Sequence, residues 1–109
     1  MKILSLAAAS LTISLSAYGQ TTAPAPRAVQ CVSVFEIMDR AAPSWSAQTE
    51  VQRARLTWRS SATHLAQRTG VDYGTQVNRE MTRLADLSAK RPNILSGLAL
   101  ECLAEADTF

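Results

Sequence analysis

The chain offers few side chains for chemistry: one histidine, His64, and two cysteines, Cys31 and Cys102. On a helical wheel His64 lies away from the apolar positions, and no nucleophile or orienting carboxylate is spaced to reach it. We therefore predict that His64 is exposed to solvent and has no catalytic role. Ser60 and Ser61 lack the glycine-flanked turn that presents a nucleophilic serine, so no catalytic residue is predicted.

Metal and cofactor sites are not predicted either. A metal site needs a cluster of histidine, cysteine or carboxylate ligands, which one histidine and two mutually paired cysteines do not supply. The sequence has no Cys-x-x-Cys-His motif for covalent haem and no Glu-x-x-His pair for a di-iron bundle. Its four glycines are scattered singly, without a phosphate-binding loop. The sequence thus predicts a protein that is not an enzyme and binds no cofactor or metal.

Cys31 and Cys102 are predicted to form a disulfide bond. They are the only cysteine pair in the chain, and 71 positions separate them. In the chain-entropy model, a cross-link that closes so long a loop stabilises the folded state by about 4 kcal/mol. Two free thiols are the alternative that the sequence leaves open.

Residues 1–19 have the three parts of a cleavable secretory signal peptide. A positive n-region with Lys2 precedes an apolar run over residues 3–15 and a small-residue region that contains Ala17 and Gly19. A membrane-spanning helix needs about 20 apolar residues, so this run is too short to serve as an anchor. We predict cleavage after Gly19, with cleavage after Ala17 as the competing site. A buried N-terminal helix is the alternative interpretation.

Cleavage is expected to release the mature protein into the periplasm or the medium, without a stable membrane anchor. Both compartments are oxidising, and an even number of cysteines in an exported protein is typically paired. The signal peptide and the cysteine count therefore predict the same environment.

The mature chain divides into a spacer and one domain. Residues 20–28 contain two prolines and no apolar periodicity, which predicts a flexible spacer. Residues 29–109 form a single domain in which apolar residues recur with a helical period and no strand pattern occurs. Four helices are predicted in it, over residues 29–42, 45–69, 73–90 and 94–106.

Local signals place the ends of these helices. Pro43 ends the first helix, and Ser44 is expected to cap the second. Gly70 suits the left-handed residue that closes a helix, while Asp72 and Asn93 are expected to cap the third and fourth. The core-facing residues predicted for the four helices in turn are Cys31, Val34, Phe35 and Met38; Val51, Ala54, Trp58, Ala62 and Leu65; Tyr73, Val77, Met81, Leu84 and Leu87; and Leu95, Leu98, Ala99, Cys102 and Ala106.

Short connections make consecutive helices antiparallel, so the predicted fold is all-α: a small up-down-up-down antiparallel four-helix bundle. In such a bundle the start of the first helix lies beside the end of the fourth. Cys31 is near the first point and Cys102 near the second, so the helix pattern and the disulfide agree.

A possible interface is predicted on the second helix. Trp45 and Leu56 lie off its apolar stripe on the same side, and a tryptophan in polar surroundings suits an interface anchor. Trp45 packed back over the corner between helices one and two is the alternative. Arg55 and Arg59 are like charges four residues apart, which costs stability in an isolated helix. They either pair with carboxylates elsewhere in the chain or dock acidic groups of a partner.

These features favour a binding protein over the other classes. The mature chain has ten basic and nine acidic residues, and a net charge of +1 is too small to indicate nucleic acid binding. We predict an interaction protein of the cell envelope whose partner is another envelope protein. A periplasmic stress chaperone is the alternative, and an enzyme is the remote one.

Overall fold

The computed structural model describes residues 25–109. The predicted signal peptide and residues 20–24 of the predicted spacer lie outside this range. Within it the chain forms five helices and no strand, which confirms the predicted all-α class. The helices are α1 (Arg27–Ala41), α2 (Pro43–Ser46), α3 (Thr49–Thr69), α4 (Tyr73–Lys90) and α5 (Ile94–Ala106).

Helix α1 lies at the centre of the domain and contacts α3, α4 and α5. Val29 and all five residues of 31–35 are buried. Successive residues of a helix point about 100° apart, so five buried in a row must be covered on several sides. The single apolar stripe predicted for this helix is therefore too narrow.

A buried hydroxyl joins α1 directly to α4. The Ser33 hydroxyl is fully buried and donates to the Val29 carbonyl at 2.7 Å and approaches the Val77 carbonyl at 3.3 Å. In an up-down-up-down bundle these two helices would lie across the diagonal, without such close contact. The four long helices are as expected, but the up-down-up-down arrangement is not confirmed.

The corner between α1 and α3 differs from the prediction. Helix α1 ends at Ala41, ahead of Pro43 as expected. Pro43 then starts the short α2, because its fixed φ suits the first position of a helix. Ser44 consequently lies inside α2, and its predicted role as the cap of the long helix is wrong. Helix α3 follows Gln48, whose side chain makes no capping hydrogen bond.

At the other helix ends, Gly70, Asp72 and Asn93 occupy the predicted capping positions. Gly70 closes α3 in the left-handed region, with φ 74°. The Asp72 carboxylate accepts a hydrogen bond from the Thr75 amide at 2.9 Å and so caps α4. Asn93 holds the capping position of α5, but its side chain makes no capping hydrogen bond.

The disulfide between Cys31 and Cys102 is formed, with a Cα–Cα distance of 5.6 Å, and both residues are fully buried. It joins the first half of α1 to the last turns of α5, as predicted. Arg27 strengthens the same junction, because its guanidinium bonds Glu105 at 2.6 Å and Glu101 at 2.9 Å. Arg27 is the first residue of α1, so the helix begins two residues before its predicted start at residue 29.

Helix α3 buries the stripe that its sequence predicts. Val51, Ala54, Trp58 and Ala62 are buried, and Leu65 packs at the edge of the core. The Trp58 indole donates to the Cys102 carbonyl at 2.8 Å, so its one polar atom is satisfied. Across residues 25–109, no helix combines the length and the apolar character needed to cross a bilayer.

Candidate functional site

Helix α3 carries three of the four residues predicted as an interface, and one of them, Leu56, lies on its exposed side. Opposite the buried stripe lie five exposed residues, which we call the outer face of α3: Leu56, Ser60, Thr63, His64 and Gln67. The stripe beneath them is locked into the core, so the backbone that presents this face is fixed. A preformed face loses little conformational freedom when a partner binds.

Leu56 is the apolar centre of this face. Its exposed fraction is 61%, and the other four members of the face are polar. Leu100 on α5 has nearly the same exposed fraction, 59%, but belongs to a different helix. A single exposed leucine is common on protein surfaces and does not by itself define a site. Leu100 is therefore a matched control for tests in which Leu56 is substituted.

Arg55 and Arg59 lie along the flank of α3 that faces α1. The Arg55 guanidinium contacts Glu36 at 3.0 Å and Asp39 at 3.4 Å, and only 15% of its side chain is exposed. Arg59 approaches the same Glu36 carboxylate at 3.7 Å and is 44% exposed. The charge of Arg55 is therefore paired within the chain, whereas Arg59 remains accessible at the edge of the outer face.

Trp45 lies away from the outer face of α3. Its ring is half-buried, and its centroid is 6.0 Å from that of Phe35 on α1. The neighbouring Ser46 is buried, and its carbonyl accepts a hydrogen bond from the Gln52 side chain at 2.5 Å. Trp45 thus covers the corner between α1 and α3. The structure groups Leu56, Arg55 and Arg59 on one helix and separates Trp45 from them.

His64 is exposed, and its Nδ1 lies 3.0 Å from the Ser60 carbonyl. A carbonyl oxygen only accepts, so Nδ1 is the donor in this contact. Residues 25–109 contain no group of three or more His, Cys, Asp or Glu side chains placed to hold a metal ion.

The charges of the domain are unevenly distributed. Helix α3 carries four arginines and one glutamate, and no acidic residue occurs from Gln52 to Thr69. Helix α5 has two glutamates and no basic residue, and Asp107 follows it directly. The rest of the described chain outside α3 carries six basic and eight acidic residues. The formal positive charge of the described residues is therefore concentrated on α3.

A groove of about 390 Å³ lies between α1, α4 and α5. Its floor is apolar, with Leu84 and Leu98, and Arg83 and Glu101 lie on its rim. Both rim charges are paired within the chain, because Arg83 binds Glu80 at 2.6 Å and Glu101 binds the guanidinium at the start of α1. This pairing leaves the groove without a strong charge preference for a ligand.

The sequence did not predict the roles of Arg27 and Glu80. Arg27 was placed in the spacer, and Glu80 lies on α4 with an exposed fraction of only 3%. The Glu80 carboxylate is held by two hydrogen bonds from Arg83, at 2.8 and 2.6 Å, which raise the pKa of that guanidinium. The spacing of three residues between Glu80 and Arg83 allowed this pair. No local signal in the sequence marks it as buried.

No protein-family model matches this chain, and comparison with curated proteins and with solved structures finds no match either. The geometry of the site therefore carries the functional argument alone.

Proposed function

We propose that this protein is an exported binding protein of the cell envelope that docks on another envelope protein through the outer face of α3. In this proposal residues 1–19 are removed on export, and the disulfide-tied domain acts in the periplasm or outside the cell. The protein works by association and not by catalysis. The formed Cys31–Cys102 bond supports this location, because disulfides persist in oxidising compartments.

The observation that carries the proposal is the exposure of Leu56 at the centre of a polar, rigidly mounted helix face. Interfaces commonly consist of an apolar anchor surrounded by polar groups that exclude water from it. The fixed stripe below keeps α3 in place, so docking requires no rearrangement of the core. Arg59, at the edge of the face, adds a donor that can bind a carboxylate in two-pronged fashion.

The proposal is tested by affinity capture from an envelope extract of the producing organism. The oxidised mature protein is the bait, and a Leu56→Ser variant is compared with a Leu100→Ser variant. Both substitutions remove an equally exposed leucine, so they have matched effects on surface hydrophobicity. We expect one protein to be retained by the wild type and by Leu100→Ser, and to be lost with Leu56→Ser.

Retention that is equal for the two serine variants would contradict the proposal, because it would place the interface elsewhere. Capture of many unrelated proteins would also contradict it. Circular dichroism of each variant before use establishes that the helices are intact, so a loss of capture reports on the surface.

A periplasmic stress chaperone is a second candidate, supported by the ion pair between Arg27 and Glu105 that ties α1 to α5. Arg27 holds the pKa of the Glu105 carboxyl below its ordinary value, so this tie weakens in acid. A chaperone of this kind would expose apolar surface as the pH falls. A dye that fluoresces on apolar surface, followed from pH 7 to pH 2, should then brighten before the helices melt. A dye signal that rises only together with helix loss would exclude it.

A further inference from the structure

The arginines of α3 indicate the charge of the partner that docks on its outer face. The proposed function leaves that charge open. Between Gln52 and Thr69 the chain carries four arginines, one histidine and no carboxylate. Of these arginines, only Arg55 is largely buried by its ion pair with α1, since 15% of its side chain is exposed. Positive charge along an interface favours a partner of opposite potential and disfavours one of like potential.

Two arginines at the ends of this stretch strengthen the asymmetry. Arg53 and Arg68 are exposed, and neither forms an ion pair with any side chain of residues 25–109. Glu50 and Asp107 line a small cleft together with Arg53, so they offset part of its charge. Arg68 lies in the last turn of α3 with no carboxylate on its own helix closer than Glu50. Arg68 therefore keeps its positive charge accessible at the end of the face that contains His64 and Gln67.

We infer that the outer face of α3 docks an acidic segment of another envelope protein, with an apolar side chain of that segment against Leu56. This inference rests on the proposed function and adds the chemistry of the partner. A guanidinium gives directional, two-pronged hydrogen bonds to a carboxylate, and α3 supplies only arginine as its fixed cation. An exposed leucine among these cations suits a protein segment better than a nucleic acid, which offers no aliphatic side chain in return.

The test uses a synthetic amphipathic helix with a leucine stripe flanked by glutamates, labelled with a fluorophore. A second peptide has every glutamate replaced by glutamine. Binding to the oxidised mature protein is followed by fluorescence anisotropy at low and at physiological ionic strength. We expect the glutamate peptide to bind, to bind more weakly as salt is added, and to bind better than the glutamine peptide.

Matched charge variants locate the contact. Arg53→Gln with Arg68→Gln removes two charges from α3, and Lys90→Gln with Arg91→Gln removes two exposed charges from the end of α4. We expect the first pair to weaken peptide binding about fivefold and the second to change it little, since exposed charge pairs contribute modestly. An equal effect of both pairs would overturn the inference, because net charge alone would then explain the binding.

Three further results would overturn the inference. The first is equal affinity of the protein for the two peptides. The second is a dissociation constant above about 1 mM for the glutamate peptide, because a specific contact binds more tightly. The third is tighter binding of a short DNA duplex than of the glutamate peptide. The proposed function fails separately. If an envelope partner is lost with Leu56→Ser while these peptide results are negative, the docking face stands and the acidic partner does not. If the peptide binds as expected but no partner depends on Leu56, the charge preference stands and the proposed function does not.

Discussion

Helices α1 and α3 differ in how much of their surface the fold covers. Helix α1 is enclosed by three helices, and its residues 31–35 are all buried. Helix α3 buries one stripe and leaves the other side to solvent. Packing constrains the side chains of residues 31–35 in α1, whereas the side chains of the outer face of α3 lie in solvent. Substitutions in α1 should therefore change stability, and substitutions on the outer face should change only association.

The largest effect is expected from the disulfide that fixes α1 against α5. Replacing Cys31 and Cys102 together by alanine should lower the free energy of unfolding by about 4 kcal/mol, because the unfolded chain regains the freedom of a long loop. Urea unfolding of the variant and of the wild type measures the difference. An unchanged midpoint would show that α1 is held at the centre by packing alone.

Core truncation gives the next largest effect and compares the two helices directly. Phe35→Ala removes a ring that is 1% exposed, and should cost about 3 kcal/mol. Leu56→Ala on α3 should change stability by less than about 0.5 kcal/mol, because the side chain is mostly in water. Both values come from the same unfolding experiment. Similar losses for the two variants would contradict the distinction between the helices.

The predictable part of the fold follows the same distinction. The stripe of α3 was correctly predicted because a helix with one wet and one buried side shows a clear helical period. On α1 that period is blurred, since Val32 and Ser33 are as buried as Phe35. A sequence pattern records which residues avoid water, but it does not say how many neighbours cover a helix. The central position of α1 and its direct contact with α4 could therefore not be read from it.

The site was predictable only in part, for a related reason. Leu56 and Arg59 could be placed by their offset from the stripe of α3. The pairing of Arg55 with Glu36 depends on how α1 crosses α3, which no local spacing encodes. The sequence leaves two interpretations of Trp45 open, an interface anchor and a cover over the corner, and the short helix that Pro43 starts turns its ring toward Phe35.

A pair of serines compares α1 and α3 again, with a smaller expected change in the free energy of unfolding. Ser33 on α1 is fully buried and donates a hydrogen bond to the Val29 carbonyl, whereas Ser60 on α3 is exposed. Alanine is the better helix former at both positions, so this gain is common to Ser33→Ala and Ser60→Ala. Only Ser33→Ala loses a buried hydrogen bond, so its free energy of unfolding should be lower than that of Ser60→Ala by about 1 kcal/mol. Equal values from urea unfolding would show that the Ser33 bond contributes nothing.

The smallest effect concerns acid. Arg27 lowers the pKa of Glu105 below the ordinary value of 4.5, chiefly through a hydrogen bond to the carboxylate. The pair therefore stabilises the fold above this value and loses that contribution as the pH falls through the lowered pKa. Glu105→Gln should be less stable than the wild type at pH 7 and should lose less stability between pH 5 and pH 3. Asp86→Asn, which removes a carboxylate outside every ion pair of the described residues, is the control. A wild-type pH dependence in Glu105→Gln would contradict the assignment.

Site-specific photo-crosslinking tests the central claim, that the outer face of α3 is the docking surface, most directly. A photoreactive amino acid is placed at position 56 in one oxidised protein and at position 100 in another, and each is irradiated in an envelope extract. The two positions are equally exposed, so random encounters should label them equally. If the outer face of α3 is the docking surface, position 56 should give one defined crosslinked product and position 100 none. A product from position 100 alone, or the same products from both positions, would contradict it.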